Sequence, residues 1–225
     1  MSGYDWHWLS DASAWVIPVI LAVTMHEAAH GWMAERYGDD TARRMGRVSF
    51  NPLRHVDRFG TVIFPTLLLA LKSSFIFGYA KPVPVAFSQL RPARMGMRMV
   101  ALAGPLANII LALLSALLLH IEYFVTPEQA PWLFQNLYRS LMINCVLAVF
   151  NMIPILPLDG GRVVDSFLPN KLRRWYGKFE RFGVALVMAL LLVPVLLGYS
   201  GLVQVVSIPT YWLLEHILIL TGNSS

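Results

Sequence analysis

The chain has 225 residues, 56% hydrophobic and 14% charged, with a mean hydropathy of +0.57 and a net charge of +5. Ordinary soluble domains carry about 25% charged residues, and apolar runs as long as those here need lipid around them. The composition therefore argues against a soluble enzyme and for a small polytopic membrane protein, and the single cysteine, Cys145, excludes an internal disulfide or a thiolate metal cluster.

Ser13 to Met33 is the first expected span, long enough at ~1.5 Å per residue to cross a hydrocarbon core of ~30 Å. No charged region precedes it and no small-residue cleavage pattern follows, so it reads as a retained helix and not a signal peptide. An arginine-rich stretch runs on to Asp57; within it Arg47-Val48-Ser49-Phe50 alternates like a short strand and Asn51-Pro52 reads as a turn. Phe59 to Tyr79 is apolar but interrupted by Pro65 and Lys72, and either spans or re-enters. Lys81-Pro82-Val83-Pro84-Val85 cannot be helix, because its prolines remove donors and hold their neighbours extended. Met99 to Leu119 is an uncharged span with Gly104-Pro105 one turn inside its start. Ile121 to Tyr138 is expected as a loop on the opposite face, and Leu141 to Leu158 returns, with regular helix failing around Asn151, Pro154 and Pro157. Phe182 to Tyr199 and Gly201 to Leu220 complete the chain as a helical hairpin. The expected fold is all-α and polytopic, with five to six transmembrane helices and a re-entrant or short β-containing segment near residues 45–95, in one integral membrane domain over residues 1–225.

Of the 18 Lys and Arg, all but Lys72 and Arg139 fall in three segments, Arg36 to Arg58, Lys81 to Arg98, and Arg162 to Arg181. Basic loops accumulate on the cytoplasmic face beside anionic headgroups. The high pI is therefore topological, and nucleic acid is not an expected partner.

The chemistry is concentrated in Met25-His26-Glu27-Ala28-Ala29-His30. Histidines four apart on a helix project from one face and can share a zinc ion. Glu27 then lies beside the metal, where a carboxylate can take a proton from water, as in the zinc peptidase motif. A chance His-Glu-x-x-His competes with this on a soluble helix, but ionisable groups inside a span are costly unless paired or metal-bound. A catalytic zinc needs a third protein ligand. His7, His55, His120 and His216 lie before the first span, in the arginine-rich loop or near span ends. Asp159, just past an apolar run broken by Pro154 and Pro157 and followed by Gly160-Gly161, is the better candidate, although an interfacial Asp-Gly turn is an ordinary alternative. Asn108, Asn144 and Asn151 are polar residues within apolar segments. Interhelical hydrogen bonding accounts for Asn144 and competes evenly with a site role at Asn108.

Met25 to His30, Gly104-Pro105-Leu106-Ala107-Asn108 and Asn151 to Arg162 together resemble the site-2 protease family of intramembrane zinc metalloproteases, over residues 20 to 165 or so. The resemblance implies one zinc per chain, bound by His26, His30 and Asp159, with Glu27 as catalytic base and Asn151 stabilising the oxyanion. It implies a catalytic core at about 13–165 with the hairpin at 182–220 outside it, transmembrane protein or peptide substrates, and a bacterial inner-membrane location with the basic loops cytoplasmic. Residues 51 to 85 resemble the version in small bacterial members, and no stretch is large and polar enough for a PDZ or CBS domain.

Topology adds a constraint. Asp159 reaches the depth of the histidines only if Ser13–Met33 and Leu141–Leu158 run in one direction and Met99–Leu119 in the other. That requires residues 59–79 to enter and leave by the same face. Two further readings are a zinc-binding transporter, against which a single three-ligand site with a non-ligand base argues, and a catalytically silent relative, against which the intact His-Glu-x-x-His argues.

Overall fold

A computed structural model describes residues 7–55, 82–183, 185–187, 189 and 201–223. Helix α1 is His7–Arg36, with Pro18 inside it. It ends where Gly38 takes a φ of +97°, a left-handed conformation open to glycine, and Asp39 N–H reaches back to Ala34 O at 3.0 Å. A single turn, α2, covers Thr41–Arg44, and a 3-10 turn covers Pro52–Arg54. Helix α3 is Ala93–Leu118, running into a 3-10 turn at Leu119–Tyr123. Helix α4 is Pro131–Asn151, α5 is Asp159–Phe167, α6 is Asn170–Gly177 and α7 is Gly201–Leu220.

Helices α1, α3 and α4 pack on one another, with α5 against α3 and α7 against α4. Small residues fill the contacts: Ala14, Ala22, Ala28 and Ala34 of α1 and Ala112 and Ala116 of α3 are buried. Large apolar side chains face outward, among them Trp15, Ile17, Ile20, Ile110, Leu114 and Leu117. Small residues inside and large apolar ones outside is the pattern of helices packed in lipid, where close backbone approach replaces a water-driven core. Among the described residues, Ala93–Tyr123 and Pro131–Asn151 are long and apolar enough to cross a membrane.

Hydrogen bonds give the directions. His30 meets Val100 while His26 meets Asn108, so α1 and α3 are antiparallel. Asn108 meets Asn144 while Ser115 meets Ser140, so α4 runs opposite to α3. Arg91 N–H donates to Tyr37 O at 2.8 Å, which brings the end of α1 to the start of α3. The expected spanning or re-entrant segment at 59–79 lies outside the described residues, but the stretches flanking it meet at one end of the bundle. Arg94 on Asn170 and Arg98 on Ser166 bring the third basic segment to that same end.

Several boundaries differ from expectation. Arg47–Phe50 is not a strand, and no strand occurs among the described residues. Here the backbone closes on itself: Arg47 donates to Arg54 O, Arg54 donates to Gly46 O, and the Asn51 side chain accepts from Leu53 N–H. Residues 131–138, expected in a loop, open α4, because Pro131 is pre-set for a first helical turn. Helix α3 starts at Ala93 and not Met99, its arginines turned to polar partners on α5 and α6. The break after Asn151 is where the sequence places it, but Gly160 and Gly161 are helical. A Cβ on Gly161 would come within 2.5 Å of Ile155 C, and one on Gly160 within 2.7 Å of Ile153 O. Both glycines therefore seat α5 directly against the broken segment. Of the expected C-terminal hairpin, Gly201–Leu220 is α7, and most of its first arm lies outside the described residues.

Candidate metal centre

His26 and His30, one turn apart on α1, are both buried, and their Nε2 atoms lie 3.0 Å apart. Asp159 Oδ2, at the first residue of α5, is 3.2 Å from His26 Nε2 and 3.3 Å from His30 Nε2. The break at Met152–Leu158 turns the chain after α4 so that this carboxylate faces α1. Gly104 of α3 lets the cluster form: a Cβ there would lie 2.7 Å from His26 Nε2 and closer still to His30 Nε2.

Proton placement tests whether these groups suit a cation. His30 Nδ1 is 2.7 Å from Val100 O and His26 Nδ1 is 2.6 Å from Asn108 Oδ1. A carbonyl oxygen only accepts, so both Nδ1 atoms donate, and each neutral ring keeps a lone pair on Nε2. Two nitrogen lone pairs and a carboxylate oxygen thus converge. That oxygen, Asp159 Oδ2, is buried with no hydrogen-bond donor. Such an arrangement is repulsive without a positive charge at its centre. Zinc bonds of ~2.0–2.2 Å would set tetrahedral ligands about 3.3–3.5 Å apart, close to the separations here. The residues fit a zinc ion, with a face left open to the cavity.

That cavity, of about 360 Å³, is lined by the three cluster residues together with Glu27, Val83, Asn151 and Arg162. Glu27 Oε2 accepts the Val83 N–H at 2.7 Å. Asn151, at the end of α4, donates from Nδ2 to Leu147 O at 3.0 Å, so its amide is turned onto its own helix. A neighbouring cavity of about 680 Å³, lined by Asp165, Arg173, Arg174 and Glu180, shares Phe87 and Arg162 with the first. Arg162 is paired with Glu180 and lies 4.9 Å over the Phe87 ring. The other candidate histidines are held elsewhere: His55 donates to Ser49 O at 2.9 Å, His216 to Trp212 O at 2.7 Å, and His120 lies against Tyr123. His7 is the first residue of α1.

Two contributors escape sequence reasoning. Gly104 reads in the sequence as half of a Gly-Pro pair inside a stretch that carries the resemblance, with no role of its own. Asp39, fully buried, accepts Thr41 N–H at 3.0 Å and Ala86 N–H at 2.6 Å, holding the proline-stiffened strap that also touches Glu27. The Asp-x-Thr spacing after Gly38 is a turn signal that marks the first of these bonds. Asp39→Ala leaves two N–H groups without their acceptor and is expected to cost about 1–3 kcal/mol, read as a lower unfolding midpoint in detergent. An unchanged midpoint would mean the strap is held by other contacts.

Residues 14–131 and 125–194 match peptidase family M50. The chain is 34% identical over 183 residues to YwhC of Bacillus subtilis (strain 168), whose name makes it a candidate zinc metalloprotease, covering 80% of each chain. It is 27% identical over 177 residues to Rip2 of Mycolicibacterium smegmatis, named in the same way, covering 79% of this chain and 66% of that one. A zinc metalloprotease of Methanocaldococcus jannaschii is 25% identical over 72% of this chain and 38% of its own. No solved structure matches the chain.

Proposed function

The chain belongs to peptidase family M50, and from that premise we propose that it is an intramembrane zinc metalloprotease, cutting peptide bonds in or near transmembrane segments of its substrates. The observation that carries this reading is the convergence of two imidazole lone pairs and an unpartnered carboxylate oxygen in a buried cavity. His26, His30 and Asp159 hold the zinc. When bound, zinc supplies Lewis acidity toward the scissile carbonyl and toward water.

Glu27 borders the same cavity and is not among the converging ligands; its carboxylate, held through Oε2 by the Val83 N–H, takes a proton from the attacking water and returns it to the leaving amide nitrogen. Asn151 releases Leu147 O and turns its amide N–H toward the carbonyl oxygen as negative charge develops there. Water reaches the site from the cavity bounded by Arg162 and Phe87.

The chain sits in the bacterial cell membrane as one domain of five to six spans, with its basic end in the cytoplasm. Support comes from the outward-facing large apolar side chains and from the gathering of Arg91, Arg94, Arg98 and residues 166–174 at one end. A substrate segment must unwind to present a carbonyl that its own helix would otherwise occupy.

Asp159→Ala removes the only cluster ligand outside α1. The purified variant is expected to hold far less zinc than wild type by elemental analysis, and to lose cleavage with it. Equal zinc content in both proteins would remove Asp159 from the site.

A further inference from the structure

We propose that Asn108 and Asn144 are positioning residues for the metal centre, a two-residue relay across α3 and α4 that fixes which nitrogen of His26 carries its proton. The proposal rests on the zinc reading above and extends it to residues that touch neither metal nor substrate.

The relay starts at a group whose direction cannot reverse. The backbone carbonyl of Ser140 can only accept, and Asn144 Nδ2 donates to it at 2.8 Å. That fixes the Asn144 amide and turns its Oδ1 toward α3, where it accepts Asn108 Nδ2 at 2.8 Å. Asn108 Nδ2 also faces Ala22 O at 3.2 Å, a second acceptor, so the Asn108 amide cannot flip without setting oxygen against oxygen twice. Its Oδ1 is thereby presented to His26 Nδ1 at 2.6 Å. His26 must then protonate at Nδ1 and keep its lone pair on Nε2, the atom aimed at the cluster.

Burial gives the relay its force. Asn108 is 0% exposed and Asn144 1%. In that setting an unpaired amide group has no water to turn to, so every link is obligatory. The two histidines differ in this respect. His30 is set in one step by Val100 O, a backbone atom no substitution removes. His26 depends on two side chains and on the register of α4 against α3. Groups that orient a metal-ligating imidazole are commonly worth about 10–100-fold in metal affinity.

The test uses full-length protein in detergent micelles, with zinc affinity measured by competition against a chromophoric chelator and the site's symmetry read from the visible spectrum after cobalt substitution. Helix content and elution volume confirm folding. Asn108→Leu is expected to weaken zinc binding by about 10–100-fold and to alter the cobalt spectrum. Asn108→Asp keeps an acceptor toward His26 but sets its second oxygen against Ala22 O and Asn144 Oδ1, so it is expected to recover only part of the affinity. Asn144→Leu, without contact to either imidazole, is expected to weaken zinc binding in the same direction, and it decides the matter if Asn108→Leu does not fold. Wild-type affinity and spectrum in either leucine variant would overturn the relay, as would wild-type affinity in Asn108→Asp, which lacks the donor toward α4. A wild-type chain that takes up neither zinc nor cobalt would instead overturn the metal reading itself.

Discussion

Glu27→Gln is expected to slow peptide-bond cleavage by roughly 10²–10⁴-fold, the usual contribution of a positioned general base, while zinc stays bound. Glutamine is nearly isosteric and keeps a carbonyl oxygen, so the bond from Val83 N–H at 2.7 Å survives and the strap stays in place. The converging atoms of His26, His30 and Asp159 are untouched. What the amide lacks is the ability to accept a proton and hand it on. The check is cleavage of a helical membrane segment by purified wild type and variant, with zinc measured on the same samples. Retained zinc with lost cleavage supports the role. Equal rates would remove Glu27 as the base, and lost zinc would make it a ligand.

Gly104→Ala is the second large effect, and it should act in the opposite order, on the metal before the chemistry. The added methyl would lie 2.6 Å from His26 Cε1 and 2.7 Å from its Nε2, against a ring already fixed from the other side by Asn108. Helix α3 cannot back away cheaply, since Asn108 is also tied to Ala22 and Asn144. The imidazoles must give, and overpacking of this kind costs about 1–3 kcal/mol, or roughly 5–150-fold in affinity if it falls wholly on the bound state. Gly177→Ala is the matched control, because nothing lies within 4 Å of its Cβ position. Zinc lost in the first and kept in the second is the expected pair of results. A Gly104→Ala protein with wild-type affinity would show that the two rings have room to separate.

The centre was legible in the sequence to the extent that its chemistry is local. His26, Glu27 and His30 lie within five residues of one helix, and no fold is needed to see that the histidines share a face. Asp159 was readable as an ionisable residue after a proline-broken apolar run. The end of regular helix at Asn151 follows from backbone chemistry, because proline lacks a donor. The rest depends on long-range approach. Gly104 matters only because α3 crosses α1 at the imidazoles. Asn108 was undecidable alone, since an amide between helices looks the same in a sequence whether it joins two backbones or orients a ligand. The alternation at Arg47–Phe50 does not make a strand, because alternation marks one only where a neighbour offers a ladder, and here Arg47, Asn51 and Arg54 satisfy the local carbonyls and amides instead.

The bond between Arg91 and Tyr37 has a consequence for how the chain tolerates change. Tyr37 and Arg91 sit side by side, so the chain between them is closed at its ends whatever its length. Chain-closure entropy grows slowly, by about 0.6 kcal/mol for each doubling of length. Away from Ala42, Val48 and Val83, which pack on α1 at Gly31, and from Asp39, which holds the strap, added length therefore costs little while the helices that carry the imidazoles keep their mutual register.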